Sequence, residues 1–389
     1  MFNSENVNLS VLKQRAFNLR WATQEEGVIP LTAADPDFPC APEITESISK
    51  YIKDRYLSYG PSQGLPVLRE SIANYYLNKR SVKFNPDYIL PVDSAAFGIY
   101  VVCKSLLKKS DEAIVFDPVD FLFRYSIESV GATAIAFPIH PESQIPDFDL
   151  LESLISPACK MICLCNPLNP SGKVFSKDEL IKIGELAEKY NLIILSDEIW
   201  SDIVYSQSVY TCMSAINESI SNRTIIVHGF SKSYGLAGLR IGMLLTSNAQ
   251  LFDLMYQNSL HQSTVHGVNI LSQIAANTAL TECAYWLDAF VEHLQKMRNL
   301  TVDGLNKMPG ITCHLPDSCY VAFANIKGSG KSSSEIHQYI LDEAKVAIVP
   351  GLKQWFGEGA EGYVRLCYST SEEILNEALN RMNKALLKL

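Results

Sequence analysis

The chain has 389 residues, 47% of them hydrophobic and 19% charged, which is enough apolar material for one large domain and a smaller one. Its formal net charge is −9 and no Lys/Arg-rich block occurs, so nucleic acid and anionic membrane surfaces are poor candidate partners. The polar opening MFNSENVNLSVLKQR lacks the apolar stretch of a signal peptide, and no run approaches the roughly 18 apolar residues of a spanning helix, so a cytoplasmic protein is expected.

Along the chain, short apolar runs alternate with segments of helical period. The turn 91–96 (PVDSAA) leads into the apolar helical stretch FGIYVVCKSLL. The runs DEAIVFD, KMICLCN, NLIILSD and RTIIVHGF each have the length of a strand and are apolar throughout, as strands covered on both faces are. Between the second and third, KDELIKIGELAEKYN carries Leu180, Ile183 and Leu186 at helical spacing behind Ser176, an N-cap candidate. Such alternation predicts an open α/β domain with right-handed crossovers. A proline-free segment at about 285–307 predicts one long amphipathic helix. Short strands at 319–324 and 364–368 and a terminal helix from Ser371 complete a smaller α+β part. We expect a large domain at 45–284, with 1–44 and 285–389 forming the small one.

Ten cysteines occur without a CxxC pair, and Cys163 and Cys165 lie inside an apolar run, so they read as free core thiols of a reducing compartment. His261 and His266 are five apart and do not share a helix face, and no metal site is expected. The segment 327–332 (KGSGKS) suggests a P-loop, but Asn325 stands where its first glycine belongs, and a flexible surface loop is the expectation.

Ligands of open α/β sheets sit beyond the carboxyl ends of the strands. After KMICLC comes NPLNPSG, a proline-rich turn offering Asn169, and after NLIIL comes Asp197, a carboxylate at the end of a buried run. After TIIVHGF comes Ser231-Lys232, followed by a glycine-spaced stretch to Arg240 and Gly242. Each has an ordinary structural reading when taken alone, as a turn, an N-cap or a solvated lysine. Together they match the needs of pyridoxal 5′-phosphate (PLP). That cofactor requires a lysine for a Schiff base, an acid at its ring nitrogen, a donor to its phenolate oxygen and a phosphate cradle. Lys232, Asp197 and Asn169 supply the first three. Arg240 and the helix start at Ser94, Ala95 and Ala96 supply the fourth.

These motifs, in this order, resemble those of the class I/II aminotransferases, the fold-type I PLP enzymes, over nearly the whole chain. The matching segments are 58–64 with 68–70, NPLNPSG at 166–172, SDEI at 196–199, SKSYGLAGLRIG at 231–242 and VRL at 364–366. The resemblance implies a mostly parallel sheet with helices on both faces, beside a smaller α+β domain. Lys232 would hold PLP and move the proton, Asp197 would pair with the ring nitrogen, and Asn169 would bond the phenolate oxygen. Ser94, Ala95, Ala96, Ser231 and Arg240 would bind the phosphate. Tyr59 would reach the phosphate of a neighbouring subunit, which implies a homodimer with shared sites. Arg365 would grip the substrate carboxylate, with Ala34 and Asn169 beside it.

Four positions depart from the family pattern. Trp200 replaces a tyrosine, and its indole N–H can donate to the phenolate oxygen but cannot ionise. Gly229 replaces a phosphate-binding serine, and Ala34 a substrate-side glycine. Asp120 stands where the aromatic that stacks on the ring belongs, which leaves Phe121 or Phe123 to stack. The expected reaction is transamination between an L-amino acid and a 2-keto acid. The alternative is a lyase or cyclase acting by elimination or replacement, because the segment 28–39 is similar to that of the C–S β-lyase branch. A third reading is a non-catalytic PLP-binding regulator.

Overall fold

The structure, a computed structural model, describes residues 1–389. A two-residue strand β1 (Ile29–Pro30) precedes the strands of the main sheet. These are β2 (Ile89–Val92), β3 (Glu112–Asp117), β4 (Thr133–Pro138), β5 (Cys159–Cys165), β6 (Ile193–Asp197), β7 (Thr224–Gly229) and β8 (Gly242–Thr246). The C-terminal part adds β9 (Thr312–Cys313), β10 (Val321–Asn325), β11 (Val346–Ala347), β12 (Val349–Pro350) and β13 (Tyr363–Cys367).

The main sheet has the order β2-β8-β7-β6-β5-β3-β4, and β8 alone runs against its neighbours. The four apolar runs recognised in the sequence are β3, β5, β6 and β7, buried almost throughout as expected for strands covered on both faces. Helices join them. Lys177–Lys189 opens with a complete capping box, in which the Ser176 hydroxyl accepts from the Glu179 N–H and the Glu179 carboxylate accepts from the Ser176 N–H. The helix Ala95–Leu106 opens on Ser94, whose hydroxyl accepts from the Phe97 N–H at 3.1 Å.

The long predicted helix is present as Ala284–Leu305, packed against the terminal helix Glu372–Leu386 and against β10. A second, antiparallel sheet has the order β12-β13-β10-β9, and β1 pairs in parallel with β11. The segment resembling a P-loop follows β10, an antiparallel strand. It forms a 3-10 turn, Lys327–Ser329, and then Ser332 caps the helix Ser333–Ala344; its residues are largely exposed, a surface connection. One hydrophobic core surrounds most of the main sheet. A second runs from Ile226 and Met243 through Phe290 and Leu294 to Val364 and Leu379, and a small third one gathers Phe323, Val349, Phe356, Ala360 and Tyr363. Nine of the ten cysteines are buried and all ten are free. No helix is long and apolar enough to cross a membrane.

Candidate active site

Because β2, β3, β5, β6 and β7 run the same way, the residues that follow them collect along one edge of the sheet. A cavity of about 540 Å³ opens there. Its lining includes Ser94, Ala95 and Ala96 after β2, Asp120, Phe121 and Phe123 after β3, Asn169 after β5, Asp197 and Trp200 at and after β6, and Ser231 and Lys232 after β7. Arg240, just before β8, Arg365, inside β13, and Ala34 complete it. Thus the structure brings together every site residue expected from the sequence except Tyr59. That side chain is 88% exposed, its ring edge-on to His266 at 4.8 Å.

One end of the cavity suits a phosphate. The first N–H groups of the helix Ala95–Leu106 have no intrahelical acceptor and carry the positive end of its dipole. The Ser94 hydroxyl accepts from Arg240 Nη2 at 3.0 Å as well as from Phe97, which leaves its own hydrogen to donate. Gly242 permits this closeness. A Cβ there would lie 2.4 Å from the Ala95 nitrogen and 2.5 Å from the Ser94 carbonyl carbon, so any side chain would push β8 off the helix start. On the far side of the sheet edge, Gly172 closes the NPLNPSG turn at φ +75°, where a Cβ would meet Pro316 and the Ser318 carbonyl. Asn166, in the same turn, is structural: its amide donates to the Thr211 carbonyl and its oxygen accepts from Phe175.

Asp197 lines the cavity, with one oxygen accepting from the Ile199 N–H at 3.1 Å. Burial pushes its carboxyl up to about 7; Asp120 and Glu198 add to the rise, while the Ile199 N–H and Lys232 oppose it. A buried carboxyl in that state lacks a cation, and a protonated ring nitrogen would supply one. Lys232 donates from Nζ to the Ala34 carbonyl at 2.7 Å and lies over the Trp200 ring, 5.5 Å from its centroid. Burial lowers the lysine pKa, with Asp35 opposing and Arg365 assisting, so the neutral amine is favoured more than in water. Trp200 is itself packed edge-on against Tyr320.

Asn169 is the joint of the substrate side. Its Nδ2 donates to Asp120 Oδ2 at 3.0 Å, and its Oδ1 accepts from Arg365 Nη1 at 3.2 Å. Arg365 also donates from Nη2 to the Thr32 carbonyl at 3.3 Å and lies over the Phe356 ring at 5.1 Å. It is 8% exposed; its Nε–H is buried without a partner, and Nη1 and Nη2 each keep a second hydrogen as a donor for an incoming anion. The PLP requirements are therefore met by groups of this chain: an anion cradle, an uncompensated acid, an amine of lowered basicity and a guanidinium with a spare donor.

Several lining residues escaped the sequence reading. Trp355, Phe356 and Val349 reach the cavity from the C-terminal part, and Asn18 and Leu19 from the N-terminal segment. None lies in a recognisable motif. Asp120 was visible as a departure from the expected aromatic, but its bond to Asn169 was not. Behind the lysine, Asp202 accepts from Ser233 Oγ at 2.8 Å and from Arg80 Nη2 at 2.7 Å, and it also accepts from the Tyr75 hydroxyl. This buried cluster braces the backbone next to Lys232.

Comparison with known proteins agrees with the geometry. The family model for aminotransferase class I and II matches residues 26–382. The chain is 31% identical over 368 residues to an aspartate aminotransferase of Pyrococcus horikoshii, covering 94% of this chain and 92% of that one. It is 30% identical to aromatic-amino-acid aminotransferase 2 of Thermococcus litoralis, covering 98% and 97%. Among solved structures, cystalysin from Treponema denticola, which contains a pyridoxal 5′-phosphate cofactor, superimposes with a TM-score of 0.91 at 23% identity, covering 100% of this chain and 99% of that one. At that identity the likeness concerns the fold alone. The aminotransferase relatives favour amino-group transfer over the elimination or cyclisation alternative. The chain belongs to the class I and II aminotransferase family and is a PLP-dependent enzyme that moves an amino group between an amino acid and a keto acid.

Proposed function

We propose that Lys232 would hold the cofactor through Nζ and that its free amine would take the substrate's α-proton. Bound PLP supplies the electron sink for the pair left on the substrate carbon. Asp197 holds the proton on the ring nitrogen, which its raised pKa and missing cation support. Asn169 has one Nδ2 hydrogen on Asp120 and a second free for the phenolate oxygen, and the Trp200 indole N–H can donate to the same atom. Ser94, the N–H groups of Ala95 and Ala96, Ser231 and Arg240 bind the phosphate. Phe121, half-buried at the cavity wall, would contact the ring. Arg365 grips the α-carboxylate through its spare donors, with Ala34 and Asn169 lining the same cavity.

Tyr59 belongs to a second copy's site. Its exposure, with Tyr56 at 79% and Leu57 at 68% beside it, supports a homodimer that buries this patch. Residues 45–284 form the large domain, with 1–44 and 285–389 the small one, a division supported by the seven-stranded sheet lying wholly within 45–284 and by the pairing of β1 with β11. Ten free cysteines support a cytoplasmic location.

The observation that carries the site is the meeting, in one cavity, of a lysine amine, a carboxyl with a pKa near 7 and a buried arginine with an unused donor. Borohydride reduction of the holoenzyme followed by peptide mass spectrometry should place the cofactor on the peptide containing Lys232. An adduct on another lysine, persisting in Lys232→Ala, sinks the assignment. Holoenzyme given one amino acid and no keto acid should release one equivalent of the matching keto acid. Repeated release of ammonia or thiol would point to elimination instead.

A further inference from the structure

The Lys232 amine has two neighbours, and one buried side chain holds both. Nζ donates to the Ala34 carbonyl at 2.7 Å and lies 5.5 Å from the centre of the Trp200 ring. The Tyr320 hydroxyl donates to the same Ala34 carbonyl at 3.2 Å, its only hydrogen bond. The Tyr320 ring packs edge-on against Trp200, with centroids 4.7 Å apart. Tyr320 and Trp200 are buried within the single chain, so these contacts do not depend on a second copy.

The carbonyl belongs to a strap, residues 30–37, that is fixed along its length. Arg20 donates from Nη1 to the Pro30 carbonyl at 2.8 Å and the Ala33 carbonyl at 3.4 Å, and from Nη2 to Asp37 Oδ1 at 2.5 Å. Trp21 Nε1 donates to the same Asp37 oxygen at 2.8 Å, and Arg365 Nη2 to the Thr32 carbonyl at 3.3 Å. Main-chain bonds tie Leu31 to Ala347 and Cys367, and Asp37 to Ser369. A free amine has two hydrogens and one lone pair. Giving one hydrogen to a fixed carbonyl stops rotation about Cε–Nζ and keeps the lone pair in one direction. Once Nζ has taken a proton, the same contact becomes charge-assisted, so the carbonyl stabilises the product of the transfer more than the starting amine. Burial raises the Tyr320 pKa, so its hydroxyl stays a neutral donor throughout.

We propose, resting on the reading of Lys232 as the base that takes the α-proton, that Tyr320 is a positioning residue for that step. Its hydroxyl holds the Ala34 carbonyl where the lysine amine docks, and its ring fixes Trp200, the other neighbour of that amine. Tyr320 does not line the cavity and acts through these two groups. The proton passes from the substrate carbon to Nζ, and Tyr320 neither gives nor takes one.

The test compares Tyr320→Phe with Tyr205→Phe in the holoenzyme. Tyr205 is equally buried, and its hydroxyl meets Tyr368 and the Cys319 carbonyl but not the strap. The donor is the proteinogenic amino acid that the parent enzyme converts fastest to its keto acid, used with hydrogen or deuterium at Cα in single turnovers. Tyr320→Phe should slow the saturated turnover by about 10- to 100-fold, with a full deuterium effect, and move the donor's apparent dissociation constant less than about 3-fold. Tyr205→Phe should lower Tm comparably and leave the turnover within about 3-fold of the parent. Amide exchange read by mass spectrometry, which needs no turnover, should quicken across 31–37 in Tyr320→Phe and not in Tyr205→Phe. An unslowed Tyr320→Phe, equal slowing in both variants, or unchanged exchange in the strap overturns the proposal. Where Tyr320→Phe keeps too little cofactor to assay, Asp37→Asn, which loosens the strap at Arg20, takes its place under the same criteria. Lys232→Ala separates the two levels. If it takes the α-proton at the parent's rate, the Lys232 reading fails and this proposal with it; if it stops while Tyr320→Phe is unslowed, the Tyr320 role alone fails.

Discussion

Replacing Arg365 with alanine tests the substrate side most directly. The guanidinium spends one N–H on Asn169 and one on Thr32, keeps Nε–H unpartnered, and is almost wholly buried. A carboxylate seated there would receive about two charge-assisted bonds, each worth about 1.5–3 kcal/mol. Truncating one member of such a buried pair costs about 2–5 kcal/mol in total, which is about 30-fold to several thousand-fold in kcat/KM. Because the carboxylate is held before and during proton transfer alike, most of the loss should fall on KM. The substitution also removes the contact with Phe356 and the brace on Asn169, so a general loosening must be separated from lost recognition. A primary amine with the same side chain but no carboxylate provides the control. It should be converted equally by parent and variant, while the amino acid loses its advantage. Arg365→Lys should fall between, since an ammonium keeps the charge but not the fork. Equal losses for amine and amino acid, or an unchanged KM for the amino acid, would refute the role.

Further outcomes are expected elsewhere. In cofactor-free protein Asp197 titrates near 7 in the folded state and at its ordinary value of about 3.9 when unfolded, so its protonated form favours folding. Its contribution is fully present below about pH 4 and lost as the pH rises through 7, by about 2–4 kcal/mol. Chemical denaturation of the parent and Asp197→Asn should show this difference in slope, and parallel stability curves would count against it. Gly242→Ala should destabilise the fold by at least about 2 kcal/mol and weaken PLP retention, because its Cβ would strike backbone atoms that cannot move aside; unchanged melting and cofactor content would contradict the close approach. Ser176→Ala should cost about 1 kcal/mol through loss of the capping box, read as a lower Tm without a change in KM.

The legible parts of the site were those set by sheet topology. Lys232, Asp197 and Asn169 each stand within a few residues of an apolar run that can only be a buried strand. The rule that ligands lie beyond the carboxyl ends of such strands then places all three together. Ser94 was legible for a similar reason, as the polar residue before an apolar helix. The substrate wall was not. Asp120 and Asn169 are separated by 49 positions, and Arg365 meets Val349 only through the pairing of β12 with β13. Trp355 and Phe356 occupy a short helix whose local sequence looks like any surface turn. Such contacts depend on how the second sheet docks over the first, and no short-range pattern encodes that.

The order of strands has one more consequence. Along the sheet edge the functional groups follow the sequence Ser94 with Arg240, then Lys232, then Asp197, then Asn169 and Asp120. Among the groups carried by the main sheet, Arg240 and Lys232 stand toward the β2–β8 end and Asp197 and Asp120 toward β6 and β3, while Arg365 comes in from β13 beside Asn169. On the proposed assignment, a flat molecule with a dianion at one end and a basic nitrogen further along would be favoured in a single polarity along this edge, before any bond to Lys232 formed. Covalent capture would then only fix an orientation that the order of the strands had already favoured.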